Sequence, residues 1–553
     1  MITHKRLLAV AVFGLAILPP LAASAETVLT ANVEPATTWV RNFNPFNQTS
    51  ARQSTSDFIY EPLVIFNRFD HDKANYRLAK SYKIADDLKS VEFTLRDGLK
   101  WSDGKALTAK DVVFTFNYVK KNPALDFVSV WNILDKVEAV DEHTVKFSLS
   151  SPSSLAVNRL IELPIVPEHI WADIAEPVTF ANETPVGSGA MTEIPRFTPQ
   201  TYDQCRNPYY WDAKNLKVDC FRFPQLADNN QMLTATASGE LDWGTSFLPN
   251  VEQTYVAKDP DHFHYWYTAG SMVEFIFNQE TANADNKKAF QDVKFRRAMS
   301  MTLDRQGMVN VAGYGYPTLN QDPTTFGEVY ASWTDPKVLE EFGKYAKYNV
   351  DAAKELLDDA GYVDVDGDGF RDNPDGTPIK FDIIVPNSWT DWIDTVRIAV
   401  EGMHDAGINA NIGTPEEAVW GQDLITGKFD AAINSISAAA LPYYPYQRAF
   451  NRDDVGKTRF TAQRWFNDDL SKLLNDFSLT SDMDKQKAIM NKAQRIVAEN
   501  LPLLPVYNNP TWYQYNTTRF TGWSTQENPF VNPTLSRQNH ARLLHLLALR
   551  PVK

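Results

Sequence analysis

The sequence predicts an α/β protein of at least two domains, and three observations carry that reading. Short stretches with period-two alternation and stretches with a 3.6-residue apolar period are mixed along the whole chain, without a strict repeat. Once a leader is set aside, roughly 528 residues remain, too many for one hydrophobic core. No low-complexity stretch or long linker separates the elements, so the domains must be joined by short crossovers, which suits a hinged two-lobe body.

The first element is the leader. Lys5 and Arg6 give a basic start, residues 7–18 are apolar, and Ala23-Ser24-Ala25 ends the segment before Glu26. This is the pattern of a secretory signal peptide over 1–25 with an A-x-A cleavage site. The apolar run falls short of the ~20 residues that span a bilayer, and no other segment is long enough and free of charge, so no membrane insertion is expected. No cysteine follows the run, so no lipid anchor is expected either. The mature chain is expected outside the cytoplasm, away from ATP and NAD.

Further along, Val91, Phe93 and Leu95 alternate with polar residues, as do Val145, Phe147 and Leu149, predicting two half-buried strands. Between them Thr108 and Asp111 stand at capping-box spacing before Val112, Phe116 and Val119, which starts a helix. Phe295, Ala298, Met299 and Thr302 predict a second helix; Ala353, Leu356, Leu357 and Ala360 predict a third, with Gly361 terminating it. Residues 381–385 read as a strand, apolar but for Asp382.

Composition narrows the partners. The formal charge is −15, and removing Lys5 and Arg6 leaves −17. Such a surface repels nucleic acid and anionic lipid. The 14 Trp and 22 Tyr exceed what cores need and suit a surface that stacks on sugars or peptides. Cys205 and Cys220 are the two cysteines of an exported chain, and they read as a disulfide, worth roughly 3 kcal/mol in the chain-entropy picture. Two free buried thiols are the competing reading. Neither has a histidine at metal-ligand spacing.

Asp364-x-Asp366-x-Asp368-Gly369, with Asp372 ninth and Asp375 twelfth, copies the spacing of an EF-hand loop. The twelfth residue is Asp rather than bidentate Glu, and the segment runs on into a strand. A structural calcium and a solvated acidic hairpin are the two readings; no other cofactor is expected.

Several blocks together resemble a known family. Arg96-Asp97-Gly98-Leu99-Lys100-Trp101-Ser102-Asp103-Gly104 is followed by Leu107-Thr108-Ala109-Lys110-Asp111-Val112-Val113-Phe114. Pro185-Val186-Gly187-Ser188-Gly189, Asn207-Pro208-Tyr209-Tyr210-Trp211-Asp212, Gly239-Glu240-Leu241-Asp242-Trp243 and Phe295-Arg296-Arg297-Ala298 with Leu303-Asp304-Arg305 come next. In this order they resemble the family 5 bacterial solute-binding proteins, receptors of peptide, nickel and oligosaccharide ABC importers. Trp39-Val40-Arg41-Asn42-Phe43-Asn44-Pro45-Phe46, the 205–220 segment, Tyr515-Asn516-Thr517-Thr518-Arg519-Phe520-Thr521-Gly522-Trp523 and Arg542-Leu543-Leu544-His545 are similar to its chitooligosaccharide-binding branch, close to cellobiose binders.

That resemblance implies a periplasmic, monomeric, non-catalytic receptor that passes a chitobiose- or cellobiose-like sugar to an inner-membrane permease. It implies a first lobe over 26–285 with an extra subdomain at about 76–195, a second lobe over 286–505, and a tail, 506–553, returning to the first. The ligand cleft lies at the hinge between the lobes. The resemblance assigns ring stacking to Trp389 and hydroxyl binding to Asp391, in a segment placed just past the strand at 381–385, where crevices open in α/β domains. It assigns polar contact to Asn434, an arginine–aromatic pair to Arg459 and Phe460, and closure from the other lobe to Arg41 and Asn229. Ser536 stands where the branch has a second stacking tryptophan, so one platform is missing unless Trp523 or Phe530 replaces it, and a different disaccharide or short oligosaccharide is open as the ligand. Ordinary core or surface packing competes for each of these residues.

An oligopeptide receptor of the same family is the alternative. Peptide binders place an acid after the strand ending near Ile433, whereas 434–442 contains none; Asp391 could serve instead. A glycosidase would need two carboxylates across the sugar, and the chain has no nucleophile motif of the G-x-S-x-G or H-E-x-x-H kind.

Overall fold

The computed structural model describes residues 27–49, 52–70, 73–439, 441–536 and 539–552. The leader expected at 1–25 lies outside them. Among the described residues no helix is long and apolar enough to cross a membrane.

Two large apolar cores organise the chain. The first holds Trp101, Phe116, Phe147, Trp243 and Leu546, and so draws on both ends of the sequence. Around it lie three sheets. One pairs Val28–Thr30 with Cys220–Pro224 in parallel and continues antiparallel through Thr201–Arg206 to Met191–Phe197. A second joins Trp243–Gly244, Gln514–Asn516 and Phe263–Tyr265. The third is antiparallel, from Ala79–Ile84 through Ser90–Leu95 and Thr144–Leu149 to Leu134–Ala139. The expected alternation places Val91, Phe93, Leu95, Val145 and Phe147 on its buried face.

The helix Ala109–Lys121 packs over this third sheet. Its start is fixed by Thr108, whose side chain and backbone complete a capping box with Asp111. The expected subdomain at 76–195 is built around this sheet and helix, and its apolar side chains merge with the rest of the first core.

The second core surrounds one six-stranded mixed sheet, ordered Thr318–Leu319, Leu504–Thr511, Thr268–Phe277, Ala431–Ser437, Lys380–Ile384 and Asn409–Gly413. The last three strands run parallel. The helices Val293–Met301 and Val350–Asp359 pack on this core, the latter ended by Gly361 at φ 86°.

The chain changes core twice, at neighbouring points. Tyr265 still belongs to a first-core sheet and Thr268 opens a second-core strand; Thr511 ends a second-core strand and Gln514 returns to the first. Thr268 pairs with Thr511, and the Trp266 amide donates to the Tyr513 carbonyl at 3.1 Å, so the two crossovers run side by side. The boundaries expected at 285/286 and 505/506 instead fall inside the helix Ala284–Gln291 and the strand Leu504–Thr511. Gly270 and Asn508-Asn509-Pro510-Thr511 lie next to the crossovers but inside strands, so each crossover runs from strand to strand without a loop to mark it.

Cys205 and Cys220 are bonded, standing opposite each other in adjacent antiparallel strands. The pairing clips the strand beside Val28–Thr30 to its neighbour.

Candidate ligand site between the lobes

A cavity of about 910 Å³ lies between the two cores. Its first-core wall includes Tyr82, Phe127, Asn132 and Arg159, and its second-core wall includes Tyr443, Tyr444, Gln447 and Phe460. Contacts between the cores close around it. Ser154 Oγ donates to the Ser478 carbonyl at 3.0 Å, Ser129 Oγ to Asp454 at 2.5 Å, and Arg68 Nη1 to the Ala438 carbonyl at 2.9 Å.

Three carboxylates bordering the cavity already have donors. Asp57 is bound by Arg542, Asp453 by the Asn132 amide, and Asp454 by Ser129 and Asn451. Glu162 lies 3.9 Å from Arg448 and 4.0 Å from His540. The walls thus offer aromatic faces, amides, hydroxyls and guanidinium groups, with Asp57, Asp453 and Asp454 committed to the chain itself.

The residues expected at the site separate into three groups. Phe460 borders the cavity. Behind it Arg459 donates to Asn434 Oδ1 and, at 3.1 Å, to the Ser435 carbonyl, while Asn434 Nδ2 donates to the Arg459 carbonyl at 3.2 Å. The Arg459 guanidinium stands 4.9 Å from the Phe460 ring and 5.4 Å from that of Trp420. Asn434 sits in the middle of the strand Ala431–Ser437, not past its end, and Arg459 and Phe460 in the short turn Arg459–Thr461, so strand and turn fix one another.

The second group joins the lobes. Trp389 precedes the helix Thr390–Asp405, half-buried against Trp392 and Trp420 with ring centroids 4.7 and 5.7 Å away. Asn229, at the start of a first-core helix, donates to Thr390 Oγ1 at 3.1 Å and to Asp391 Oδ1 at 3.4 Å. Its backbone amide donates to the Ser388 carbonyl. Burial pushes the Asp391 carboxyl up to about 7, against the pull of helix-start amides and Asn229. Asn229 and Asp391, 162 positions apart, therefore meet across the seam.

The third group does not reach the cleft. Trp523 is 5% exposed, its Nε1 donates to the Phe520 carbonyl, and it packs against Trp243, Tyr515 and His545. It is core, not a second stacking platform, because its only polar atom is spent on its own turn. Phe530 packs edge-on against His545 in the same region. Arg41 donates to the Glu183 carbonyl and leans on Phe197, both on its own lobe. Arg52, on the same lobe, lines both the large cavity and a smaller one bordered by Trp39 of its own lobe and Glu417 of the other.

The acidic loop also differs from expectation. Asp364, Asp366 and Asp372 bring carboxylate oxygens within 4.8 Å of one another. Asp375 turns away to Lys288 Nζ at 2.7 Å, which lowers its carboxyl to about 2. Asp368 accepts from the Phe370 amide. Because Asp372 is folded back under the Val365 amide, the clustered set is not the one EF-hand spacing predicts.

A large cavity between two lobes joined by paired crossovers defines a receptor that encloses a small ligand. The chain belongs to the bacterial extracellular solute-binding proteins, family 5, whose sequence profile matches residues 73–457. It is the substrate-binding protein of an ABC importer and a binding receptor rather than an enzyme. The oligopeptide-binding protein AppA of Bacillus subtilis is 24% identical over 473 residues, covering 84% of this chain and 83% of AppA. Among solved structures, a periplasmic oligopeptide-binding protein of Thermotoga maritima with mannohexaose bound is 27% identical, with TM-score 0.86 over 96% of this chain and 99% of that one. AppA in complex with a nonapeptide is 20% identical in the aligned structures, with TM-score 0.79 over 96% of this chain and 100% of that one. The fold is thus shared by proteins holding a hexasaccharide and a nonapeptide, and does not fix the cargo.

Arg52, Tyr82 and Phe127 line the cavity without having been expected there, and Trp420 and Glu274 are buried beside the Arg459 group. Only Glu274 carried a local signal, as the one acid in an apolar strand.

Proposed function

We propose that this chain is a periplasmic receptor for an uncharged oligosaccharide, of the chitobiose or cellobiose kind or longer, which it delivers as a monomer to an inner-membrane permease after loss of its leader. One observation carries the reading: the cavity offers aromatic faces, amides, hydroxyls and guanidinium groups, while Asp57, Asp453 and Asp454 on its walls are held by the chain's own donors. Flat apolar faces suit sugar rings, and amides and hydroxyls suit sugar hydroxyls. A volume near 910 Å³ lies toward the upper end of the ~300–1,000 Å³ typical of small-molecule sites, which favours several rings over two. The mannohexaose complex of the Thermotoga maritima protein supports the same ligand class.

In this reading Phe460, Arg459 and Asn434 contact the ligand, Trp389 supplies a ring face, and Asn229 and Asp391 join the lobes when they close. Closure occurs about the paired crossovers near 266 and 512, and the ligand favours it only by its extra affinity for the closed form. An oligopeptide cargo is the second reading, favoured by the name of the relative AppA.

A thermal-shift screen with chitobiose, cellobiose, mannohexaose and di- to pentapeptides tests the choice. A saccharide at 100 times its Kd should stabilise the protein by about 2.7 kcal/mol. A shift with peptides and none with any saccharide would overturn the proposal.

A further inference from the structure

Glu274 breaks the pattern of its strand. Met272, Val273, Phe275, Ile276 and Phe277 are apolar and buried in the second core, and Glu274 among them is 1% exposed. Its Oε1 has no hydrogen-bond partner among the described residues. A buried carboxyl left without partners weakens a fold, and native buried polar groups are nearly always paired. Leucine or glutamine at this position would suit the fold alone better, so the acid needs another explanation.

Its position supplies one. Glu274 stands directly opposite Asn434 in the antiparallel pair of Thr268–Phe277 with Ala431–Ser437. Opposed residues of such a pair project from the same face. Asn434 in turn is bonded to Arg459, and the next residue, Phe460, borders the ligand cavity. The Arg459 charge acts on Glu274, yet burial outweighs it and raises the carboxyl to about 8. At neutral pH the group is therefore held mainly as the acid, which both donates and accepts, as a sugar hydroxyl does.

We propose that Glu274 is a ligand-recognition residue, forming with Asn434 and Arg459 a polar corner that reads hydroxyl groups of the bound saccharide. This rests on the saccharide reading above and names the side chain that supplies part of its specificity. Arg459 brings donors only, Asn434 brings both kinds of group, and the Glu274 acid completes a set that can satisfy adjacent hydroxyls in either sense.

Calorimetry and melting of the full chain test this with Glu274→Gln and Glu274→Leu, using whichever of chitotetraose, cellotetraose or mannohexaose binds the wild type most tightly. Gln keeps a neutral donor and acceptor, so E274Q should bind within about threefold of wild type. E274L should bind at least about tenfold more weakly, the scale of losing a buried polar contact to ligand, while melting no lower than wild type. Unchanged saccharide affinity in E274L would overturn the role of Glu274 and leave the saccharide reading standing. A lower melting point in E274L together with unfolding-limited binding would mark the residue as structural and also overturn it. If no saccharide binds the wild type, both readings fall. If an oligopeptide binds and E274Q abolishes that binding, Glu274 is an ionised partner of a ligand ammonium, and again both fall.

Discussion

Two indole clusters of this chain look alike in sequence and differ in what they leave open. In the first core, Trp243, Trp523, Tyr515 and His545 pack with Trp243 4.5 Å from His545 and 5.9 Å from Trp523. Both indole N–H groups are spent on backbone carbonyls, those of Pro533 and Phe520. The Ser524 amide donates to His545 Nε2, which fixes that nitrogen as an acceptor. In the second core, Trp389, Trp392 and Trp420 pack at similar spacing, but Trp389 is half-buried, Trp420 Nε1 has no partner among the described residues, and a guanidinium lies over the Trp420 ring. Each cluster keeps one buried nitrogen without a partner among the described residues, His545 Nδ1 in the first and Trp420 Nε1 in the second. What separates them is exposure: Trp243, Trp523, Tyr515 and His545 are all buried, whereas the Trp389 ring is half-buried beside Thr390 and Asp391, which bond Asn229 of the other lobe. Exposure of a ring face, rather than aromatic content, separates a core from a binding surface.

The sharpest way to break this comparison is to truncate one indole from each cluster. Trp523→Ala should cost about 3–5 kcal/mol of stability, the range for a buried Trp, with ligand affinity per folded molecule unchanged. Denaturant melts and calorimetry check it; a loss of affinity without loss of stability would return Trp523 to the site. Trp389→Ala should do the reverse, weakening saccharide binding by roughly 1.5 kcal/mol or more, with a smaller change in melting. Equal affinity in calorimetry would show that the seam cluster is only packing.

Where the sequence could be read, local rules sufficed. The alternation at 91–95 and 145–149, the capping box at Thr108 and the stop at Gly361 depend on neighbours a few residues away, and all form as expected. Two cysteines allow a single pairing, and it forms in place of the competing free thiols. The crossovers were not legible, because Gly270 and Asn508-Asn509-Pro510, residues that elsewhere mark loops, lie here inside the flanking strands. Among the expected residues, Asn434, Arg459 and Phe460 stand together because the middle of a strand and a turn are brought together by one hydrogen-bond set. Trp523 was misplaced because a tryptophan after Gly522 looks the same whether its N–H meets a carbonyl or a ligand. Tyr82 and Phe127 face the cavity from a sheet edge and a loop of the first core, and only tertiary packing decides that.

The clusters also differ in how they answer pH, which gives the smallest and most selective test. His545 is buried, and its pKa falls from 6.5 to about 3. Its folded form stays neutral where the unfolded chain binds a proton, so its contribution is complete above pH 6.5 and lost as pH falls toward 3. Asp391 has the opposite sign. Its carboxyl rises from 3.8 to about 7, so the folded protein holds a proton that the unfolded chain has released. That contribution is complete below pH 3.8 and is lost as pH rises to about 7, with a slope of at most ~1.4 kcal/mol per pH unit. Glu274, raised to about 8, and Asp242, raised to about 6, add slopes of the same sign. Asp391→Asn should therefore flatten part of the decline between pH 4 and 7, by up to about 1 kcal/mol per unit, and leave the acid-side loss from His545 untouched. Melting curves of wild type and variant across pH 3–8 read both limbs at once. If the two curves stay parallel, Asp391 is hydrated and ionised in solution, and the Asn229 contact that joins the lobes across the seam is open in the free protein.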